Sequence, residues 1–539
     1  MTPHHEQSHR ALSSLAAAAL AALLAAGCGP DGSGGGGAGG APHQGGAGGL
    51  GAGGLGPGGG GGALTLTIFH TTDEHGWLER HTDSGWTYGG AADVAAWMAA
   101  DGLDPAGALL VSSGDNWVGP AISGYFQGES AVEVFNAMGY RASALGNHEF
   151  DYGQQVLATR VAQATYPYLG ANVRVDASSE LPSYDVASAL VTVQGVQIAL
   201  IGVTTPQTAT ATNPQNVADL RFDDLRDTLE SLVPELRASG AEVVIVLAHE
   251  GGAAMSQVAA ELTVPVDAIF CGHDHALSHA IVNGIAVMDS AANFLGYTEA
   301  WLQFDPATHQ ASFVDRRFVT VRWQDGDPPP HEPDSAVQSI VDDWAVQLDG
   351  ALAQTIGYSA TGIDLMSWAQ ANWVCDAWLW AFPEAQIAIQ NFGGLRQALA
   401  SGDIRLLDLY GMLPFENRIY ELELTGAQIR DNIVQATASC GTQGACSPAV
   451  GGLRYQGMGS SVVLLQPDGQ PLDLGASYIV LVSDYIYAGG DGYLFSTEDA
   501  TPIDLGVNYR DPVVQWTSAL GTSAADPLEL HIDATPRSQ

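Results

Sequence analysis

The chain has no lysine. All 18 of its basic residues are arginines, set against 59 Asp and Glu in 539 residues, for a net charge of −41. So little positive charge excludes a nucleic-acid polymer as partner, because its phosphates demand a basic surface. It also excludes electrostatic docking on anionic lipid. Beyond residue 26 no stretch approaches the roughly 18 uninterrupted apolar residues of a membrane-spanning helix. There is no long internal repeat. The hydrophobic fraction, 46%, is ordinary for a globular protein. At about 150 residues per domain the length allows two to four domains with a real core. The surplus of carboxylates is compatible with divalent cations, although charge alone does not show that any are bound.

The N-terminus reads as an address. Residues 1–10 are polar and carry only Arg10 as positive charge, while residues 11–26 are almost all Ala and Leu. That run is short for a span and fits a signal-peptide core. It ends in Leu24-Ala25-Ala26-Gly27-Cys28, which resembles a bacterial lipobox, where the Cys is lipidated and becomes the mature N-terminus. The usual Leu sits one place nearer the Cys than Leu24 does. Residues 1–28 are thus expected to be a lipoprotein-type signal peptide with lipidation at Cys28. Residues 29–62 hold 21 glycines in 34 positions, a composition that stays disordered and makes a flexible tether. The expected location is outside the cytoplasm, lipid-anchored to the bacterial cell envelope at the outer membrane or cell surface, or otherwise periplasmic or secreted. Cys440 and Cys446 flank a Gly-containing turn, and in an exported protein a local disulfide is expected there. Cys271 and Cys375 lie in apolar contexts and read as buried small hydrophobes.

From Ala63 onward, apolar runs alternate with helical patterns. Leu64–His70, Ala108–Ser112, Gln197–Val203, Glu242–Ala248 and Ala268–Cys271 read as strands; Gly90–Ala100, Ser130–Met138 and Leu220–Ser239 read as helices. Such alternation predicts an α/β sandwich with largely parallel strands, whose chemistry sits in loops at the strands' carboxyl ends. Pro328-Pro329-Pro330-His331-Glu332-Pro333 cannot be helix interior and makes a stiff connector. The expected organisation is a first domain at 63–327, a Pro-rich linker and connecting helix at 328–350, and a mixed helix-and-strand second domain at 351–530.

Five short motifs fall at strand ends of the first domain. They are Asp73-Glu74-His75-Gly76, Gly114-Asp115-Asn116, Gly146-Asn147-His148-Glu149-Phe150-Asp151, Ala248-His249-Glu250 and Gly272-His273-Asp274-His275. Each offers Asp, Asn or His beside a glycine or loop, and hard divalent cations accept these groups. Singly, each is weak, since a D-x-H is more often a solvated pair and G-D-N a common turn. The two His of G-H-x-H, at i and i+2 after a strand, point to one side. Five such motifs in order, each after an apolar run, are specific. Two ions about 3.5–4 Å apart can clamp a phosphoryl group and activate water, and one Asp between two ligand groups is the natural bridge.

On these residues the chain resembles the calcineurin-like metallophosphoesterases, and among them the bacterial 5′-nucleotidase and UDP-sugar hydrolase group, over about 64–525. The resemblance implies a four-layer α/β/β/α sandwich followed by a mixed α+β substrate-binding domain. It implies two divalent metal ions, Zn, Mn or similar. Asp73, His75, Asp115 and His275 would hold one; Asp115, Asn147, His249 and His273 would hold the other. His148, held by Asp151, would face the phosphoryl oxygen or leaving group. A carboxylate there fixes the imidazole tautomer and favours the cation. Thr72 stands where the family usually has Asn. Glu250 adds a carboxylate with no assigned role.

In the second domain, Asn391-Phe392-Gly393-Gly394-Leu395-Arg396, Pro414-Phe415-Glu416-Asn417 and Asp484–Tyr493 place aromatics and an Arg beside turns. From spacing alone, core aromatics next to turns are the commoner reading. The resemblance implies instead that Phe415 and Tyr485 stack a base, that Asn417 and Asp491 contact the nucleoside, and that Arg396 reaches the phosphate, with Asn391 and Gly394 in the same binding turn. The family carries further phosphate-binding Arg residues just upstream, whereas here no basic residue lies between Arg322 and Arg396. The implied activity is hydrolysis of nucleoside 5′-monophosphates or related nucleotide esters by in-line attack of metal-bound hydroxide; the chain is expected to be a monomer whose partners are a small nucleotide and, only through the N-terminal lipid anchor, the membrane. Alternatives are hydrolysis of UDP-sugars, 2′,3′-cyclic nucleotides or thiosulfate esters, or a non-catalytic metal-binding surface lipoprotein.

Overall fold

The computed structural model describes residues 62–83, 85–104 and 107–538. The signal segment, Cys28 and almost all of the Gly-rich tether lie outside the described residues. Among the described residues no helix is long and apolar enough to cross a membrane.

The first domain is built on two six-stranded sheets. One runs in the order Gln310–Thr320, Gly296–Asp305, Leu64–Thr71, Ala108–Ser112, Ala142–Ala144, Tyr168–Leu169. The other runs His279–Val282, Ile285–Asp289, Ala268–Cys271, Val243–His249, Val196–Thr204, Ser188–Val193. The central strands of each are parallel, with Thr71 beside Ser112, Ser112 beside Ser143, and Ala248 beside Cys271. Alternation along the strands decides what each face buries. Leu66, Ile68, Leu109 and Val111 meet Ile198, Leu200, Ile245 and Leu247 between the sheets. The intervening Phe69 and Leu110 face helices Ala91–Ala100 and Glu129–Met138, while Val244 and Val246 face helices Leu225–Ala238 and Gly252–Glu261. The result is a four-layer α/β/β/α sandwich.

One helix begins later than the sequence pattern suggests. Leu220–Phe222 is a strand paired antiparallel with Val173–Val175. The helix starts at Leu225 because the Asp224 carboxylate caps it, accepting the Asp227 N–H at 2.9 Å.

The segment after the prolines forms helix Ser335–Leu352, with the Asp334 carboxylate accepting the N–H groups of Ala336 and Val337 at 3.0 Å. Its Val337, Val341, Leu348 and Leu352 are buried against the first domain. Trp344 packs on Phe126 with ring centres 4.4 Å apart and donates its indole N–H to Glu133 at 2.9 Å. This helix is therefore part of the first domain's outer layer.

The second domain carries a mixed five-stranded sheet in the order Pro448–Gly451, Ile387–Asn391, Ser477–Ser483, Arg418–Thr425, Ile503–Asn508. Helices Trp368–Ala381, Gly426–Cys440 and Asp511–Leu520 pack on it over a separate core. Trp373 and Trp378 lie fully inside, and their indole N–H groups go to Thr517 Oγ1 at 3.1 Å and the Tyr509 carbonyl at 2.8 Å. Cys440 and Cys446 form a disulfide whose loop packs on the Gly393 turn, with the Gly393 N–H donating to the Ala445 carbonyl at 2.6 Å. Cys271 and Cys375 are free and buried.

Candidate metal centre and substrate cleft

Every strand that leads into a motif ends at the same edge of the sandwich, so the five loops meet. Asp73, His75 and His275 form one group of converging ligand atoms, and Asp115, His249 and His273 form a second. Asn147 completes the second group, with its Oδ1 at 3.1 Å from both His249 Nε2 and His273 Nδ1. The seven candidate ligands thus come together as two adjacent clusters.

Backbone strain marks the place. Asp73, His75, Asp115, His273 and His275 have positive φ between 47° and 75°, a conformation that costs energy for residues with a Cβ and persists where surroundings over-determine it. Two glycines make the crowding possible. A Cβ on Gly146 would lie 2.1 Å from Asp115 Oδ1, and one on Gly272 would lie 2.1 Å from Thr72 Oγ1. Thr72 in turn donates to Asp73 Oδ2 at 2.7 Å.

The donor set suits cations. The His75 Nδ1–H donates to the Val118 carbonyl at 2.6 Å, and the His249 Nδ1–H to the Ser113 carbonyl at 2.9 Å. With Nδ1 committed, each Nε2 turns inward. His75 Nε2 lies 2.9 Å from His275 Nε2, and His249 Nε2 lies 3.0 Å from Asp115 Oδ2. Imidazoles and carboxylates facing one another in a buried site call for positive charge between them. The ionisation pattern says the same. Burial works against the Asp115 charge, but His249, His148 and His75 outweigh it and hold that carboxyl well below the usual range. Burial alone would lower His249; Asp115 and Asp73 instead push it up to about 10. Burial drives His75 down and His275 down to about 3, with the Arg396 guanidinium adding to both effects.

His148 is placed beside this centre. Its backbone N–H donates to Asp115 Oδ1 at 2.9 Å, and its Nδ1 is 2.6 Å from Asp151 Oδ2. Asp151 Oδ1 accepts from Thr212 Oγ1 at 2.7 Å. Burial opposes charge on His148, but Asp151 and Asp115 more than offset it, so the pKa is raised and the cation is favoured.

Two buried carboxylates inside the motifs, neither of them a candidate ligand, lock the loops together. Glu149 accepts the backbone N–H groups of Asp115 at 2.9 Å, Asn116 at 2.7 Å and Gly146 at 2.7 Å. Glu74 accepts from Ser112 Oγ at 3.1 Å, from Asn116 Nδ2 at 2.8 Å, and from the Thr71 hydroxyl. Asn116 therefore ties both. Glu250 joins its own loop to the end of strand Val196–Thr204, accepting from Thr205 Oγ1 at 2.8 Å and the Gly251 N–H at 2.9 Å.

The metal face opens into a cleft of about 1160 Å³ between the domains, and all seven second-domain candidates line it. Arg396 stacks its guanidinium over Phe415 at 5.7 Å, and Phe415 stacks on His148 at 6.0 Å. Asn391 Nδ2 donates to Asp491 Oδ2 at 2.7 Å; Asp491 Oδ1 lies 2.9 Å from the Tyr485 hydroxyl. Asn417 Nδ2 donates to Asp484 Oδ1 at 2.7 Å. Among the described residues no ring contact joins Phe415 to Tyr485. Tyr485 instead lies over Gly490, where a Cβ would sit 2.4 Å from its ring. Contacts across the cleft hold the domains face to face. The Tyr485 hydroxyl lies 3.1 Å from the Thr210 carbonyl, and Asn213 Nδ2 donates to Asp484 Oδ2 at 3.2 Å.

The sequence matches the family described as calcineurin-like phosphoesterase over residues 66–277 and that described as 5′-nucleotidase, C-terminal domain, over residues 360–497. It is 26% identical to the snake venom 5′-nucleotidase of Naja atra over 498 residues, covering 82% of this chain and 93% of that protein. It is 25% identical over 464 residues to endonuclease YhcR of Bacillus subtilis, covering 78% of this chain but 37% of the relative, so it spans little more than a third of that protein. The fold superposes on the crystal structure of a 5′-nucleotidase precursor from Thermus thermophilus with a TM-score of 0.76 and 25% identity, covering 88% of this chain and 99% of that one. Calcineurin-like phosphoesterases use two divalent metals, and the two clusters are this chain's candidate ligands for them. The chain belongs to the calcineurin-like phosphoesterases that carry a 5′-nucleotidase C-terminal domain.

Proposed function

We propose that the protein is an exported, dinuclear-metal phosphoesterase acting on nucleoside 5′-monophosphates or related nucleotide esters. The observation that carries the reading is the single cleft shared by two ligand clusters, Arg396 and Phe415. When bound, the two ions supply Lewis acidity at the phosphoryl oxygens and lower the pKa of water at the reacting phosphorus. Asp115 offers one oxygen toward His249 and receives the His148 N–H on the other, and it is the residue we assign to both ions. His148, kept cationic by Asp151, stabilises charge developing on the phosphoryl oxygen or leaving group through its Nε2. Arg396 neutralises the phosphate from the second domain. Phe415 and Tyr485 supply apolar faces for a base, and closure of the second domain excludes water. Export is supported by the leader and by the Cys440–Cys446 disulfide, which persists in an oxidising compartment.

The test is a panel of AMP, UDP-glucose, 2′,3′-cyclic AMP and p-nitrophenyl phosphate with Mn²⁺ or Zn²⁺, before and after EDTA. The reading expects metal-restorable hydrolysis with AMP among the preferred esters. Hydrolysis of p-nitrophenyl phosphate without any of the nucleotides would remove the nucleotide assignment. No metal-restorable activity on any ester would remove the enzyme reading.

A further inference from the structure

We infer that His70 is a positioning residue for the metal centre, whose imidazole pegs the two sheets of the first domain together and sets the loops that carry both ligand clusters. The inference rests on the phosphoesterase reading above and adds to it a residue that lies outside the cleft lining.

Along strand Leu64–Thr71, alternation sends Leu66, Ile68 and then His70 into the space between the sheets. His70 is fully buried, and its ring lies against Phe270 of the second sheet with ring centres 4.8 Å apart. A polar ring in an apolar seam is costly unless its nitrogens are bonded. Both are. Nδ1 lies 2.5 Å from Ser290 Oγ, and Nε2 lies 2.8 Å from Ser113 Oγ. The Ser113 hydroxyl fixes the direction of these bonds. It donates its single proton to the Phe270 carbonyl at 2.9 Å, so toward His70 it can only accept, and Nε2 carries the proton. Burial lowers the His70 pKa to about 3, so the ring is neutral. Nδ1 is then a bare acceptor, and the Ser290 hydroxyl donates to it.

Each partner leads to candidate ligands. Ser113 follows strand Ala108–Ser112 of the first sheet, and its carbonyl accepts the His249 Nδ1–H at 2.9 Å. Phe270 lies in strand Ala268–Cys271 of the second sheet, which runs directly into Gly272-His273-Asp274-His275. Ser290 opens a sixth loop, after strand Ile285–Asp289, that the five motifs do not include. In that loop the Ala291 N–H donates to the Ala276 carbonyl at 2.9 Å, beside His275, and the Asn293 N–H donates to the Asp73 carbonyl at 2.7 Å. Ala291, Asn293 and Phe294 have positive φ of 60°, 59° and 50°, so this loop is strained as the ligand loops are. One imidazole therefore reaches His249 through Ser113, His273 and His275 through Phe270, and Asp73 through the Ser290 loop. Hydrogen-bonded groups behind metal ligands govern metal affinity by about 10–100-fold.

The experiment titrates Mn²⁺, and separately Zn²⁺, into the metal-free full chain by isothermal calorimetry for wild type, His70→Leu and His70→Gln. Leucine keeps an apolar side chain in the seam and removes both bonds. The glutamine amide offers one end that donates and one that accepts, as the neutral ring does. His70→Leu is expected to bind metal about 10–100-fold more weakly than wild type, and His70→Gln to recover most of that loss. Circular dichroism of the metal-free proteins reports that they are folded. Where His70→Leu does not fold, Ser290→Ala, which removes only the partner of Nδ1, is expected to weaken metal binding by about tenfold. Wild-type affinity in the folded variant overturns the inference, and so does a His70→Gln variant as weak as His70→Leu, which would leave the ring a packing role alone; either result leaves the phosphoesterase reading intact. A wild type that binds neither Mn²⁺ nor Zn²⁺ overturns both.

Discussion

The two walls of the cleft are built on opposite principles. On the first-domain wall five of the seven candidate ligands are held in left-handed backbone, and Glu74 and Glu149 bind the loops behind them. On the second-domain wall only Asp491 of the seven candidates has positive φ among residues other than glycine, and the buried Oε1 atoms of Gln390 and Gln397 have no hydrogen-bond partner. The loops of the candidate metal face are held by hydrogen bonds within the protein. Chemistry that must hold ions within tenths of an ångström is over-determined, whereas recognition that must release product is left under-bonded.

This contrast breaks most severely at the shared carboxylate. Asp115→Ala removes the anion facing His249 and the His148 N–H, and should lower kcat by more than about a thousandfold, with metal stoichiometry falling in elemental analysis. His148→Ala should reduce kcat by about 10²–10⁴-fold while both metals are retained, separating charge stabilisation from ligation. Glu149→Gln sets an amide against three backbone N–H groups and should weaken metal binding by about 10–100-fold, read by chelator competition. On the other wall, Phe415→Ala and Tyr485→Ala should each raise KM for AMP by the loss of about 1–3 kcal/mol of stacking and leave metal content untouched. An unchanged KM would place the base elsewhere.

The smallest expected effect is on stability, far from both walls. Partial burial alone would raise the Glu529 carboxyl, but hydrogen bonds from Ser359 Oγ and from the Thr361 and Ala360 N–H groups hold it down to about 2. A carboxyl depressed on folding stabilises above its ordinary pKa, and that contribution fades as pH falls through its folded value. The difference in unfolding midpoint between wild type and Glu529→Gln should therefore be present at pH 6 and shrink toward pH 2. A difference independent of pH would assign the effect to packing.

Legibility in the sequence followed the same divide. Metal ligation demands Asp, Asn and His beside turns at strand ends, so the motifs stood out; alternation of apolar runs carried the α/β class, and the four-layer architecture came from the family resemblance. Glu74 and Glu149 sit inside those motifs, yet a carboxylate serving backbone N–H groups of its own and a neighbouring loop has no spacing signature. Helix Ser335–Leu352 read as a connector because of the prolines before it. Its stripe of Val337, Val341, Leu348 and Leu352 was the signal that it packs. Gln390 and Gln397 carried no signal, since only the fold shows that their amides are buried at a cleft. The absence of any Lys or Arg between Arg322 and Arg396 was visible in the sequence.

The central claim is that one cleft holds two metal ions bridged by Asp115 for phosphoester hydrolysis. The most direct test is elemental analysis of the purified protein and of Asp115→Ala, paired with AMP hydrolysis before EDTA, after it and after Mn²⁺ or Zn²⁺ is returned. The account predicts two ions per wild-type chain, fewer in the variant, and activity that EDTA abolishes and metal restores only in the wild type. Full AMP hydrolysis in metal-free protein, or in Asp115→Ala, would contradict it.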